Sequence, residues 1–113
     1  MNATATYSAL HGAFSAVGAD YGLGGFDVRV LVALYEAGRE TASDELADML
    51  HAHGSMCRRS LAKLRGLGHV TTCGPDGRPV RPWVRMMARL TASGEQIARE
   101  ALAAITTTRE DRA

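Results

Sequence analysis

Residues 54–70 read GSMCRRSLAKLRGLGHV, and residues 71–90 continue TTCGPDGRPVRPWVRMMARL. Across the join the spacing of apolar side chains changes from helical to alternating. Cys57, Leu61 and Leu64 recur every three to four residues, which predicts an amphipathic helix from Ser55 to about Leu67, closed by Gly68. His69–Thr72 then predicts a strand and Gly74-Pro75-Asp76-Gly77 a turn. In the returning strand, Val84–Leu90, the apolar Val84, Met86, Ala88 and Leu90 alternate with Arg85, Met87 and Arg89, so one face can pack while arginines face out. Pro79 and Pro82 donate no ladder hydrogen bond, so pairing is expected at the base of the hairpin only, with a mobile tip.

Positive charge gathers in the same segment. From Gly54 to Arg89, thirty-six residues hold eight basic side chains (Arg58, Arg59, Lys63, Arg65, Arg78, Arg81, Arg85, Arg89) against one acid, Asp76, a net +7. The whole chain is only +1, so the other 77 residues hold −6. Such asymmetry implies a polyanionic partner, and its coincidence with a helix followed by a hairpin favours nucleic acid over a membrane surface or a small acidic substrate. The outer face of the helix presents Ser55, Met56, Arg58, Arg59, Ala62 and Lys63 with no acid, whereas a merely solvated face usually mixes signs.

Upstream, Thr41 and Asp44 have the spacing of a capping box before an apolar periodic run, which predicts a helix from Ala42 to about His51 with Leu46, Ala47 and Leu50 inward. A turn through Ala52, His53 and Gly54 joins it to the basic helix. Before that, Asp27 is expected to cap a helix whose buried face is Val28, Leu31, Val32, Leu34 and Tyr35 and which Gly38 ends. Gly22, Gly24 and Gly25 separate it from a first helix over residues 5–18 with Tyr7, Leu10, His11, Phe14 and Val17 on one side. Downstream, Thr91 caps a last helix from Ala92 to Ile105 with Ile97, Ala98, Ala101, Leu102 and Ile105 apolar, and residues 106–113 are expected to be a frayed tail.

Two helices about a turn, the second basic on its outer face, and a basic hairpin after it make a winged helix-turn-helix: a mainly α fold with a small β-hairpin, in one domain over residues 1–105. A helix fits the major groove of B-form DNA, and a cationic hairpin can follow the adjacent backbone or minor groove. With 113 residues, 46% hydrophobic but only 5% aromatic, the core is expected to be small-residue helix packing. No apolar run approaches the ~20 residues a bilayer span needs, and MNATATYSALHG lacks the regions of a secretion signal, so a cytoplasmic location is expected. Two cysteines are too few for a disulfide framework. Cys57 falls at an inward position and is read as a small core hydrophobe, Cys73 as exposed. His51, His53 and Cys57 lack the companion ligands of a zinc site, and no catalytic Ser-His-Asp set, phosphate loop or carboxylate pair can be assembled, so neither a metal, a cofactor nor an enzyme is expected.

The residues resemble the MarR-type winged-helix transcriptional regulators. Val30-Leu31-Val32-Ala33-Leu34-Tyr35-Glu36-Ala37-Gly38 is similar to that family's second helix, and Leu46-Ala47 with Leu50 to its LA-x-x-L third helix. Ser55, Met56, Cys57, Arg58 and Arg59 occupy the opening of the recognition helix and Lys63-Leu64 its later turn. Gly68-His69-Val70 matches the exit into the wing, Asp76-x-Arg78 the wing-tip D-x-R, and Leu90-Thr91-x-x-Gly94 the L-T-x-x-G before the next helix. Together these cover about residues 26–105. The resemblance implies a sequence-specific regulator of transcription, expected to act as a repressor, that binds double-stranded DNA through Ser55, Met56, Arg58, Arg59, Lys63 and Arg65, with Arg78 and Arg81 in the wing. It also gives His53 a helix-initiating, capping role. The apolar sides of the terminal helices (Tyr7, Leu10, Phe14, Val17, Ile97, Ala101, Leu102, Ile105) are expected to join a homodimer, the alternative being that they pack on each other within a monomer. The residues leave a small-molecule effector open. The rival function is a winged-helix module whose basic face binds an acidic partner protein.

Overall fold

The computed structural model describes residues 3–80 and 85–111, with side chains from residues 11–80 and 85–106. Among these described residues five helices and three short strands run in the order α1 (Ala3–Ala19), α2 (Gly25–Ala37), β1 (Thr41–Ala42), α3 (Ser43–Leu50), α4 (Gly54–Gly66), β2 (Val70–Cys73), β3 (Met87–Leu90) and α5 (Ala92–Asp111). Val28, Val30, Leu31, Leu46, Leu61, Leu64, Val70 and Ile97 are fully buried, so every element around the helix-turn-helix contributes aliphatic side chains to one core. The inward positions expected on α3 and α4 are buried, apart from Leu50, which is half-buried, and Ser43 and Ser60 are buried beside them.

α2 starts one turn earlier than its expected cap. Gly24 holds the N-cap position and Asp27 sits three residues into the helix, reaching back to accept a hydrogen bond from the Gly24 N–H at 3.0 Å. The carboxylate still satisfies an otherwise orphaned donor at the helix start, but from inside the first turn. At the other end Gly38 (φ 66°) takes the left-handed cap expected of it.

Thr41 does not cap α3. Its backbone pairs with Ala88 in an antiparallel strand, and its buried hydroxyl donates to the Arg39 carbonyl at 2.9 Å. Ala42 is left at the N-cap with no side-chain bond; the Ser43 N–H donates instead to the Met86 carbonyl at 2.9 Å, and Asp44 and Glu45 complement the helix dipole. The hairpin is therefore part of a three-stranded sheet of order β1-β3-β2. β3 is its central strand.

Among the described residues, pairing joins Val70 to Leu90 and Cys73 to Met87, at the base of the hairpin. The expected alternation holds: Met86 and Ala88 are buried, and Arg85 and Arg89 exposed. Arg81, Pro82, Trp83 and Val84 lie outside the described residues. α5 extends past Ile105 to Asp111. No helix among the described residues is long and apolar enough to cross a membrane.

Candidate nucleic-acid interface

α4 is sided by its sequence. Cys57, Ser60, Leu61 and Leu64 form the buried side, and Ser55, Met56, Arg59, Ala62, Lys63 and Arg65 are exposed, with Arg58 half-buried. The turn that aims α4 is closed by His51 in the left-handed region (φ 51°) and by the Ala52 N–H donating to the Ala47 carbonyl at 2.9 Å. His53 holds the N-cap position but makes no side-chain cap bond, which corrects its expected role. With no acid in the first turn of α4, its free N–H groups keep their partial positive charge at the exposed end.

Ser60 is the residue that periodicity missed. It is buried on the packing side, where a lone hydroxyl must find a partner. It donates to Asp27 Oδ1 at 2.7 Å, and Lys63 Nζ donates to Asp27 Oδ2 at 2.9 Å. One carboxylate on α2 thus receives Gly24, Ser60 and Lys63 and ties the first turn of α2 to the middle of α4. Burial pushes the Asp27 carboxyl up, but the Ser60, Lys63 and Gly24 bonds outweigh it and hold the group below its ordinary value. The signal in the sequence was a serine one turn after Cys57 on an otherwise apolar stripe, with a lysine one turn further on.

The cations of the basic segment that lie among the described residues do not all stay together. Arg85 is turned to α3, where its Nε donates to Asp44 Oδ1 at 2.9 Å and an Nη lies 3.8 Å from Glu45 Oε1. Arg39 also holds Glu45, at 2.7 Å. The Arg85 bond lowers the Asp44 carboxyl and the Arg39 bond the Glu45 carboxyl. Arg89 lines a hollow with Tyr35, Glu40 and Glu95, away from the outer face of α4. Among the described cations of the segment Arg58, Arg59, Arg65 and Arg89 have no acid partner, and the first three stand on α4.

Arg78 stands at the wing tip. The turn is closed by the Gly77 N–H donating to the Gly74 carbonyl at 3.0 Å and the Gly74 N–H to the Arg78 carbonyl at 2.7 Å, with Gly77 at φ 79°, a conformation that favours glycine. Asp76 accepts the Arg78 N–H at 3.1 Å and lies 3.7 Å from its guanidinium, which remains highly exposed. The Asp76-x-Arg78 spacing is therefore a tip whose acid shapes the turn. Arg81 is outside the described residues.

The wing is seated on the last helix through Thr91 and Ser93. Both hydroxyls donate to the Gly68 carbonyl, at 2.7 and 3.2 Å, and the Thr91 hydroxyl accepts the Gly94 N–H at 3.3 Å as the expected cap of α5. Of the residues expected at a dimer interface, Phe14, Ile97 and Ala101 are buried in the protomer's own core. Their apolar area is largely taken up by packing of α5 against α1 and α2 inside one chain. Val17, Leu102 and Ile105 are half-buried, and the last two line, with Phe14, a hollow of about 450 Å³. The side chains of Tyr7 and Leu10 are outside the described residues. Cys57 is buried, as expected of a core position, and burial pushes its thiol up while Arg29 opposes the rise. Cys73, expected to be exposed, is half-buried beside Glu40.

No protein-family model and no curated protein sequence matches the chain. Solved structures do. A MarR family transcriptional regulator from Rhodococcus sp. RHA1 superposes with a TM-score of 0.76 at 16% identity, over 96% of this chain and 74% of the other. A MarR family regulator from Streptomyces coelicolor gives 0.71 at 20% identity, over 94% and 71%. A MarR family protein from Mycobacterium tuberculosis gives 0.68 at 24% identity, over 96% and 73%. The chain has the winged helix-turn-helix fold of MarR-type regulators.

Proposed function

We propose that the protein is a sequence-specific, double-stranded DNA-binding regulator of transcription that represses by occlusion as a homodimer. The observation that carries this reading is the outer face of α4, where Arg58, Arg59 and Arg65 stand without an acid partner among the described residues. α4 enters the major groove with Ser55 and Met56 at its opening and Arg58 and Arg59 toward base edges or phosphates. Arg65 neutralises phosphate, and the wing, with Arg78 and Arg81, follows the flanking backbone or minor groove. Two copies joined through the surface remaining on α1 and α5, including Val17, Leu102 and Ile105, address two half-sites of a palindrome.

Selection of bound duplexes from a random DNA pool tests the reading. Enrichment of a palindrome, together with a sedimentation mass twice the 12.0 kDa of the chain, is the expected result. Absence of enrichment overturns it in favour of a module that binds an acidic protein.

A further inference from the structure

The basic face of α4 carries four cations in sequence, Arg58, Arg59, Lys63 and Arg65, but Lys63 differs from the others in having an acid already in place. Its ammonium is 2.9 Å from Asp27 Oδ2, and Asp27 is itself held by Ser60 at 2.7 Å and by the Gly24 N–H at 3.0 Å. Those two bonds fix the carboxylate whether or not Lys63 is present. The pair therefore has a fixed anchor and a single mobile arm. Asp27, Ser60, Lys63, Met56 and Arg59 line one shallow hollow of about 220 Å³, so the pair sits at the edge of the surface proposed to meet DNA. Only the lysine is substantially exposed; the Asp27 side chain retains 11% of its accessible surface.

We infer that Asp27 is a positioning residue of the DNA-binding face, withholding the Lys63 charge from the duplex so that arginines alone set the phosphate contacts of α4. The inference rests on the DNA-binding reading above. A cation that neutralises a phosphate releases condensed counterions, and each such contact adds about 0.9 to the slope of log affinity against log salt. A lysine neutralised by its own protein releases none. Asp27 then has two effects through one carboxylate: it orients α4 against α2, and it lowers the number of sequence-blind contacts.

The test measures binding of a fluorescent duplex of random sequence across about 50 to 200 mM salt. Wild-type protein is compared with Lys63→Gln, Asp27→Asn and the double variant. Lys63→Gln is expected to leave the slope unchanged. Asp27→Asn keeps an acceptor for Ser60 but frees the lysine; it should steepen the slope by about 0.9 per half-site, widening the affinity ratio between the two salt concentrations about 3.5-fold for each half-site engaged. The double variant should return to the wild-type slope. A change that only loosened the fold would shift the active fraction and leave the slope alone.

A shallower slope in Lys63→Gln overturns the inference, because the lysine would already be on a phosphate. So does an unchanged slope in folded Asp27→Asn. If Asp27→Asn does not fold, Lys63→Gln decides alone: an unchanged slope supports the inference and a shallower one ends it. A flat salt response in the wild type is a different failure, that of the DNA-binding reading itself.

Discussion

Gly94, at the start of α5, lies so close to the carbonyl oxygen of His69 that a Cβ on it would overlap that oxygen and also press on Leu90. The obstacle is backbone, held in turn by the Thr91 N–H donating to the same carbonyl at 3.1 Å, so it cannot swing aside as a flexible side chain would. The glycine of the Leu90-Thr91-x-x-Gly94 motif is what lets α5 seat on the first residue of the wing. Gly94→Ala should lower stability by about 1–3 kcal/mol, the usual range for overpacking. Gly66→Ala is the control: a Cβ there meets open space and φ is not positive, so a gain of about 0.4–1 kcal/mol is expected. Chemical denaturation of both variants checks the pair, and equal effects would refute the close approach.

Arg59→Ala should weaken binding to a selected operator by roughly 1–3 kcal/mol if the guanidinium reads a base. If it contacts phosphate only, binding to all sequences falls together and the salt slope loses about 0.9 per half-site. Titration of matched and random duplexes separates the two, and a variant indistinguishable from wild type on both would remove Arg59 from the interface.

Acid should act on the fold through Asp27. Its folded-state carboxyl titrates below the ordinary 3.8, so the unfolded chain binds the proton more tightly. The stabilisation is complete above that ordinary value and is lost as pH falls through the folded-state value. Thermal melts from about pH 5 to pH 2 should show Tm falling more steeply in wild type than in Asp27→Asn. Asp44 and Glu45 are also lowered, by arginines at the surface, and contribute alike to both proteins. Parallel curves would contradict the network.

The two thiols should behave differently. Cys57 is buried, and its burial raises the thiol, so it should react with a thiol reagent only as the protein unfolds. Cys73 is half-buried and should be labelled in the native state. Mass spectrometry after a timed pulse of reagent measures both sites, and fast labelling of Cys57 in the folded protein would count against its place in the core.

The helical parts were legible because burial repeats along a helix. Cys57, Leu61 and Leu64 declare the inner side of α4 without reference to the rest of the chain, and the same holds for Leu46 and Ala47 on α3. Glycines did similar service: Gly38 occupies the left-handed cap that its position implied, and Gly77 lies in the turn read at residues 74–77. Thr41 shows where this stops. Its capping spacing was a local pattern, but a strand from far along the chain took its backbone, and pairing with Ala88 outcompeted the cap. The cations show the same limit at the site, since Arg85 lies next to Met86 in sequence yet its charge is answered by Asp44 on another element.

The sequence by itself determined the helices about a turn, the basic outer surface of the second helix and the hairpin after it, because periodicity and net charge are sums over neighbours in the chain. Tertiary structure alone decided that β3 is central, that Phe14, Ile97 and Ala101 are spent inside the protomer, and that Lys63 answers to Asp27. Strand order, burial and charge neutralisation depend on which residues distant in the chain come within a few ångströms of each other, and spacing along the chain does not encode that.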